Sequence, residues 1–218
     1  MPRILCYGDS NTWGYATVLR PDARYADAER WPRVMAAALG PDWTVVDEGL
    51  NGRTTVHPDP IEGVWLDGSS TLTAILRSHM PLDAVAIMLG TNDLKAKFGV
   101  GPFDIAGGVG VLLGQLARAG AGRNGGAPKA LVICPPPILA SYGEFAFFGE
   151  MFAGGCEKSL RLRPFYQQAA KEAGAAFLDA GEIITTSAYD GIHLDLEMQA
   201  TLGAAVAGAV KAMKIGIA

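Results

Sequence analysis

The chain has 218 residues, half of them hydrophobic, 18% charged, and a formal net charge of -4. That length supports one sizeable core and is short for two, so a single globular domain over residues 1–218 is expected. The acidic balance carries no basic stripe, which argues against nucleic acid as a partner. The longest uninterrupted apolar stretch, near Leu202 to Val210, is far short of the roughly 20 residues that cross a membrane.

Residues 4–7 form an apolar run that stops at Gly8 and then offers Asp9 and Ser10. This pattern predicts a buried strand delivering Ser10 to the carboxyl edge of a sheet, where open α/β sheets place their ligands. A polar, irregular passage follows to Glu29. Over 31–40, a Pro near the front, alanines within and a closing Gly predict a short helix. Residues 44–48 read as a strand, followed by a long loop over 53–68 and a helix over about 70–79. Residues 83–89 are the most apolar strand, as befits a central parallel one.

Residues 104–119 predict a glycine-weakened helix and 130–134 a fourth strand, which leaves through the stiff Pro135-Pro136-Pro137. The aromatic passage 142–152 fits neither a clean strand nor a clean helix. Helical spacing returns over 157–173, a fifth strand over 175–179 and a closing helix over 197–213. Strands alternating with helices imply βαβ units and a parallel sheet with helices on both faces, an α/β fold of three layers.

A serine hydroxyl is a weak nucleophile at neutral pH and needs a base, which in turn needs a group to orient it. Asp190-Gly191-Ile192-His193 supplies both: at this spacing Asp190 folds back on His193 in one tight turn and fixes its tautomer. The other ring nitrogen is then free to take the proton from Ser10. Gly49-Leu50-Asn51-Gly52-Arg53-Thr54-Thr55 and Gly90-Thr91-Asn92-Asp93 each offer a fixed donor for a developing oxyanion. The Gly-x-Ser-x-Gly elbow of the competing serine-hydrolase architecture does not occur in the chain.

These four blocks, in this order between residue 4 and about residue 200, resemble the SGNH (GDSL-type) hydrolase family, most closely its bacterial arylesterase and acyltransferase branch. The resemblance implies a flavodoxin-like five-stranded parallel sheet of order 2-1-3-4-5. It implies Ser10 as nucleophile, His193 as base and Asp190 as its orienter. It also implies an oxyanion hole of the Ser10 and Gly52 backbone amides and the Asn92 side chain. The activity it implies is hydrolysis of short-chain carboxylic esters through an acyl-serine, with acyltransferase or perhydrolase side activity. A carbohydrate or lipid O-deacylase, or a flavodoxin-like domain that binds a small molecule without turnover, are the alternatives.

Trp13 and Tyr15, close to Ser10, are candidate walls of the substrate pocket, as is Ile192. The 142–152 passage either folds onto the core, roofs the pocket or packs against another subunit; a homo-oligomer with this segment as interface is favoured, because the related acyltransferases are oligomers. His57, in a Pro-flanked loop, reads as a surface residue, and His79 as suited to a helix C-terminus. Neither histidine has zinc-site spacing, so no metal is expected, and no cofactor. Residues 120–126 match a dinucleotide fingerprint on paper, but follow a helix and precede a strand; they read as a flexible loop. Three cysteines, two inside predicted strands, predict free thiols in a reducing compartment. Met1-Pro2-Arg3 leads straight into the Ser10 strand with no signal-like segment, so a cytoplasmic enzyme is expected.

Overall fold

The computed structural model describes residues 1–16, 23–143 and 145–215. Five strands, β1 (Arg3–Gly8), β2 (Thr44–Gly49), β3 (Ala84–Met88), β4 (Lys129–Cys134) and β5 (Ala176–Asp179), form one sheet in the order β2-β1-β3-β4-β5. Every pairing is parallel. The chain is thus an α/β protein with the expected strand order.

Alternation along the strands sorts their side chains into two cores. Leu5, Tyr7, Val85, Ile87 and Val132 join the core beneath α3 (Gly68–Ser78), α4 (Pro102–Arg118) and α7 (Leu162–Glu172). Ile4, Cys6, Ala84, Ala86, Leu131 and Ile133 join the opposite core, beneath α2 (Trp31–Leu39) and α8 (Leu196–Ala212). A strand covered on both faces has no polar side to show, and β3 is buried at every position.

The register sets the carboxyl edge level where it matters. Gly8 is opposite Gly49 on one side and Met88 on the other, so Ser10, Gly52 and Asn92 start from neighbouring points on one rim. Close approach requires glycine at 49: a Cβ there would lie 2.2 Å from the backbone nitrogen of Trp13.

Three predicted segments differ. The passage after Ser10 is not all irregular, because Asp9 caps a four-residue helix, α1 (Ser10–Trp13), by accepting the Asn11 N–H at 2.9 Å. A 3-10 turn also covers Asp27–Glu29; residues 17–22 of the same passage lie outside the described ones. The helix predicted over 157–173 is two, α6 (Gly155–Ser159) and α7. Pro164 explains the break, since its ring would clash with the carbonyl of residue 160 in a continuous helix but fits a first turn. The aromatic passage contains the short helix α5 (Phe147–Met151), with Glu144 outside the described residues. Other boundaries agree to within one or two residues.

Candidate active site

At the end of β1 the chain turns directly into α1, which holds the Ser10 side chain at the rim. His193 Nε2 lies 3.0 Å from Ser10 Oγ, and His193 Nδ1 lies 2.7 Å from Asp190 Oδ2. The turn predicted from the spacing is present: Asp190 Oδ1 accepts the backbone N–H groups of Ile192 and His193, each at 2.9 Å. Gly191 makes that turn at φ 73°, where a Cβ would also meet the Ser141 carbonyl at 2.7 Å. Asp190 is fully buried. With one carboxylate oxygen on two amides and the other on the ring, the imidazole has one orientation available, with Nε2 towards the serine.

Asn11 straps this turn to the serine. Its Oδ1 accepts the Leu194 N–H at 3.1 Å and its Nδ2 donates to the Ile192 carbonyl at 3.3 Å. Gln199 on α8 supports the strap, donating to the Asn11 carbonyl at 3.0 Å and accepting the Trp31 N–H at 2.9 Å. Tyr15 lays its ring over the imidazole, centroids 4.5 Å apart.

The second and third blocks are locked to the first and to each other. Arg53, buried with its guanidinium 4.1 Å over the Tyr7 ring, donates to the Gly8 carbonyl at 2.9 Å and also to that of Glu48. Asn92 Nδ2 donates to the Arg53 carbonyl at 3.2 Å, which fixes the plane of its amide. Asp93 accepts the Thr55 N–H at 3.0 Å and the Thr55 hydroxyl at 2.5 Å. Burial raises the Asp93 carboxyl above its usual range, against the pull of those Thr55 bonds. Burial likewise pushes Asp9 up to about 6, the Asn11 amide opposing it.

Ser10, Gly52, Asn92 and His193 share one cavity of about 260 Å³. Tyr15, Ile192, Phe148, Met151 and Phe152 give it an apolar side; Asn51, Glu62 and Lys95 give it a polar one. All five predicted catalytic and oxyanion residues therefore meet, as do two of the three wall candidates. Trp13 does not line the cavity: it stands behind Tyr15, centroids 6.3 Å apart, with the Arg24 guanidinium 4.7 Å above its own ring. The same segment that was expected at a subunit interface supplies Phe148, Met151 and Phe152 to the cavity.

His57 departs from its surface reading. It stacks on Phe98 with centroids 5.4 Å apart and puts Nε2 3.7 Å from Asp93, drawn in by the apolar ring and the buried carboxylate. His79 caps the end of α3 and pairs with Glu48 at 2.8 Å. Residues 120–126 join α4 to β4 and are pinned rather than loose, since Arg123 pairs with Asp83 and Leu82 N–H reaches the Ala121 carbonyl at 2.8 Å. The three cysteines are free. Among the described residues no group of three or more His, Cys, Asp or Glu could hold a metal, and no helix is long and apolar enough to cross a membrane.

Sequence reasoning missed Asn11, Asp93, Glu62 and Lys95. The first two had a signal, since each directly follows a site residue in a quoted block and carries a side chain able to cross-link loops. Glu62 and Lys95 had none, because only folding brings together residues so far apart in the chain.

The profile of the GDSL-like lipase/acylhydrolase family matches residues 6–200. A carbohydrate acetylesterase from Sinorhizobium meliloti is 42% identical over 98% of this chain and 100% of its own, with a TM-score of 0.91. The aryl esterase of M. smegmatis is 41% identical over 97% of this chain and 99% of its own, also at 0.91. A lipase/acylhydrolase from Enterococcus faecalis, 18% identical with a TM-score of 0.67 over 98% of this chain and 97% of its own, shares the fold. A comparison with curated protein sequences gives no match. A profile spanning most of the chain, and neighbours above 40% identity along their whole length, make this protein a member of the GDSL-like lipase/acylhydrolase family of ester-hydrolysing enzymes.

Proposed function

We propose that the chain is an arylesterase-like serine esterase, working as one domain, in which Ser10 is the nucleophile. Ser10 Oγ attacks the ester carbonyl as its proton passes to His193 Nε2, and Asp190 stabilises the imidazolium. The Ser10 and Gly52 amides and the Asn92 side chain hold the tetrahedral oxyanion. The Arg53 carbonyl occupies one Asn92 amide hydrogen and leaves a second for that oxyanion. The alcohol leaves with the proton from His193, and water, deprotonated by His193, hydrolyses the acyl-serine. The observation that carries this reading is the unbroken line from Ser10 Oγ through His193 to Asp190, at 3.0 and 2.7 Å, inside a cavity that also contains Asn92. It disfavours a binding domain without turnover, which has no use for an oriented imidazole against a serine.

The test is hydrolysis of p-nitrophenyl acetate together with fluorophosphonate labelling. The protein should turn over the ester and take up one label on Ser10, and Ser10→Ala should lose the label and about 10⁵-fold or more in kcat. Parental turnover by Ser10→Ala would end the proposal.

The apolar side of the cavity supports acyl transfer to alcohols or peroxide as a side activity, since it limits water around the acyl-serine. Exposed Ile61, Trp65 and Phe147, at 80, 62 and 57% of their surface, support a homo-oligomer in which the 142–152 segment takes part. The free buried thiols Cys6 and Cys134 support a reducing, cytoplasmic setting.

A further inference from the structure

We propose that Glu62 and Lys95 form a polar subsite that selects esters carrying free hydroxyl groups near the scissile bond, such as partly acylated sugars or polyols. The proposal rests on the esterase reading and names its substrate class.

Lys95 Nζ donates to Glu62 Oε2 at 2.6 Å, the lysine side chain is only 4% exposed, and both residues line the cavity that contains Ser10. The pair adjoins the chemistry: Glu62 Oε2 is 3.3 Å from where a Cβ on Gly52 would stand. Of the two, only the Lys95 ammonium is taken out of water, the Glu62 side chain keeping 34% of its surface exposed. Burying that ammonium is costly, and an apolar side chain of equal volume fills a pocket wall at least as stably. A wall made only to bind aryl or alkyl groups has no need of these charges.

The pair is also held in place from behind. Lys97 pairs with Glu62 at 3.2 Å and with Asp59, and Asp59 Oδ1 accepts the N–H groups of Ile61 and Glu62 at 2.9 Å each. Glu62 is thereby fixed, and it takes one of the three ammonium hydrogens of Lys95. The remaining donors, beside a carboxylate acceptor, match a pair of neighbouring hydroxyls, which both give and accept hydrogen bonds. Asp59, Glu62, Lys95 and Lys97 sum to zero charge, so the wall favours a neutral polyol over an anionic substrate. An ester without hydroxyls must strip water from the pair and returns no hydrogen bond to it.

The experiment compares monoacetylated methyl glucoside with cyclohexyl acetate, a ring of similar size without hydroxyls, and reads the ratio of kcat/KM between them. The protein should favour the sugar ester by about tenfold or more, and Lys95→Met and Glu62→Gln should bring the ratio towards one. The double variant Glu62→Gln with Lys95→Met removes both charges together, so a collapse of the ratio there is not the result of a lone buried charge. A ratio near one in the unaltered protein, or one that stays within twofold in all variants whatever happens to melting temperature, overturns the subsite and leaves the charges as a strut for the 59–63 turn. If p-nitrophenyl acetate is cleaved while the ratio does not move, the subsite alone falls; if no ester is cleaved, the esterase reading falls with it.

Discussion

The cavity has a rim and a roof, and they are built by different forces. At the rim, hydrogen bonds cross between distant parts of the chain: Asn11 to Leu194, Arg53 to Gly8, Asn92 to Arg53, Asp93 to Thr55. In the roof, Phe145, Phe148 and Phe152 bond their amides to carbonyls a few residues back, and the rings pack on one another, Phe147 on Phe148 at 4.4 Å and Phe148 on Phe152 at 5.9 Å. A hydrogen bond fixes an angle and a distance; ring contact fixes mainly a volume. The molecule spends direction where atoms react and bulk where a substrate group rests.

The sharpest way to break this contrast is to remove a rim donor. Asn92→Ala should cut kcat by about 10²- to 10³-fold on p-nitrophenyl acetate, with KM changing far less, because the donor is used when charge develops on the carbonyl oxygen. A loss below about fivefold, measured at saturation, would mean that the Asn92 amide does not serve the oxyanion.

Directional burial at the rim carries a cost in charge. Asp9 titrates at about 6 in the fold, against 3.8 for an ordinary aspartate, because burial disfavours its ionised form. Its folded pKa is the higher one, so between about pH 4 and 6 the folded state holds more protons than the unfolded. Stability therefore falls as pH rises through that window and levels off above it. Asp9→Asn keeps an oxygen to accept the Asn11 amide and removes the titration. Its stability relative to the unaltered protein should improve by about 2 kcal/mol between pH 4 and pH 7 in urea unfolding. Parallel pH profiles for the two proteins would refute the assignment.

The rim was also far more legible in the sequence than the roof. Gly-Asp-Ser, Asn51-Gly52, Thr91-Asn92 and Asp190 to His193 each sit where an apolar run ends or a tight turn begins, so strand ends and spacing announced them. The strands themselves read clearly because β3 and β1 are covered on both faces and leave unbroken apolar runs. The helix α1 was invisible, since four residues are too few for a 3.6-residue period to register, and only its cap, Asp9, leaves a mark. The division of α6 from α7 was carried by a single Pro164 inside an otherwise helical pattern. For 142–152, aromatics at 142, 145, 147, 148 and 152 are unevenly spaced and gave no period to read, and an apolar side chain looks alike in a core, a pocket or an interface. Glu62 and Lys95 were hidden for another reason: a charge in a loop reads as solvated until its partner across the fold is known.

If the roof contributes bulk, trimming it should change what shares the pocket more than how fast the serine reacts. Phe148 lines the cavity and touches Tyr142, Phe145, Phe147 and Phe152 through ring contacts, so Phe148→Ala opens space that water can enter. With an added alcohol, the acyl-serine divides between ester and acid products. The variant should shift that division towards acid by a few fold, while kcat/KM on p-nitrophenyl acetate falls by less than about tenfold. The rim should feel little of it, because the bonds that hold Ser10, His193 and Asn92 do not pass through residue 148. A product ratio unmoved by the substitution, or a fall in turnover as large as that of Asn92→Ala, would show that roof and rim are one mechanical unit and that ring packing, too, sets the angles of the reacting groups.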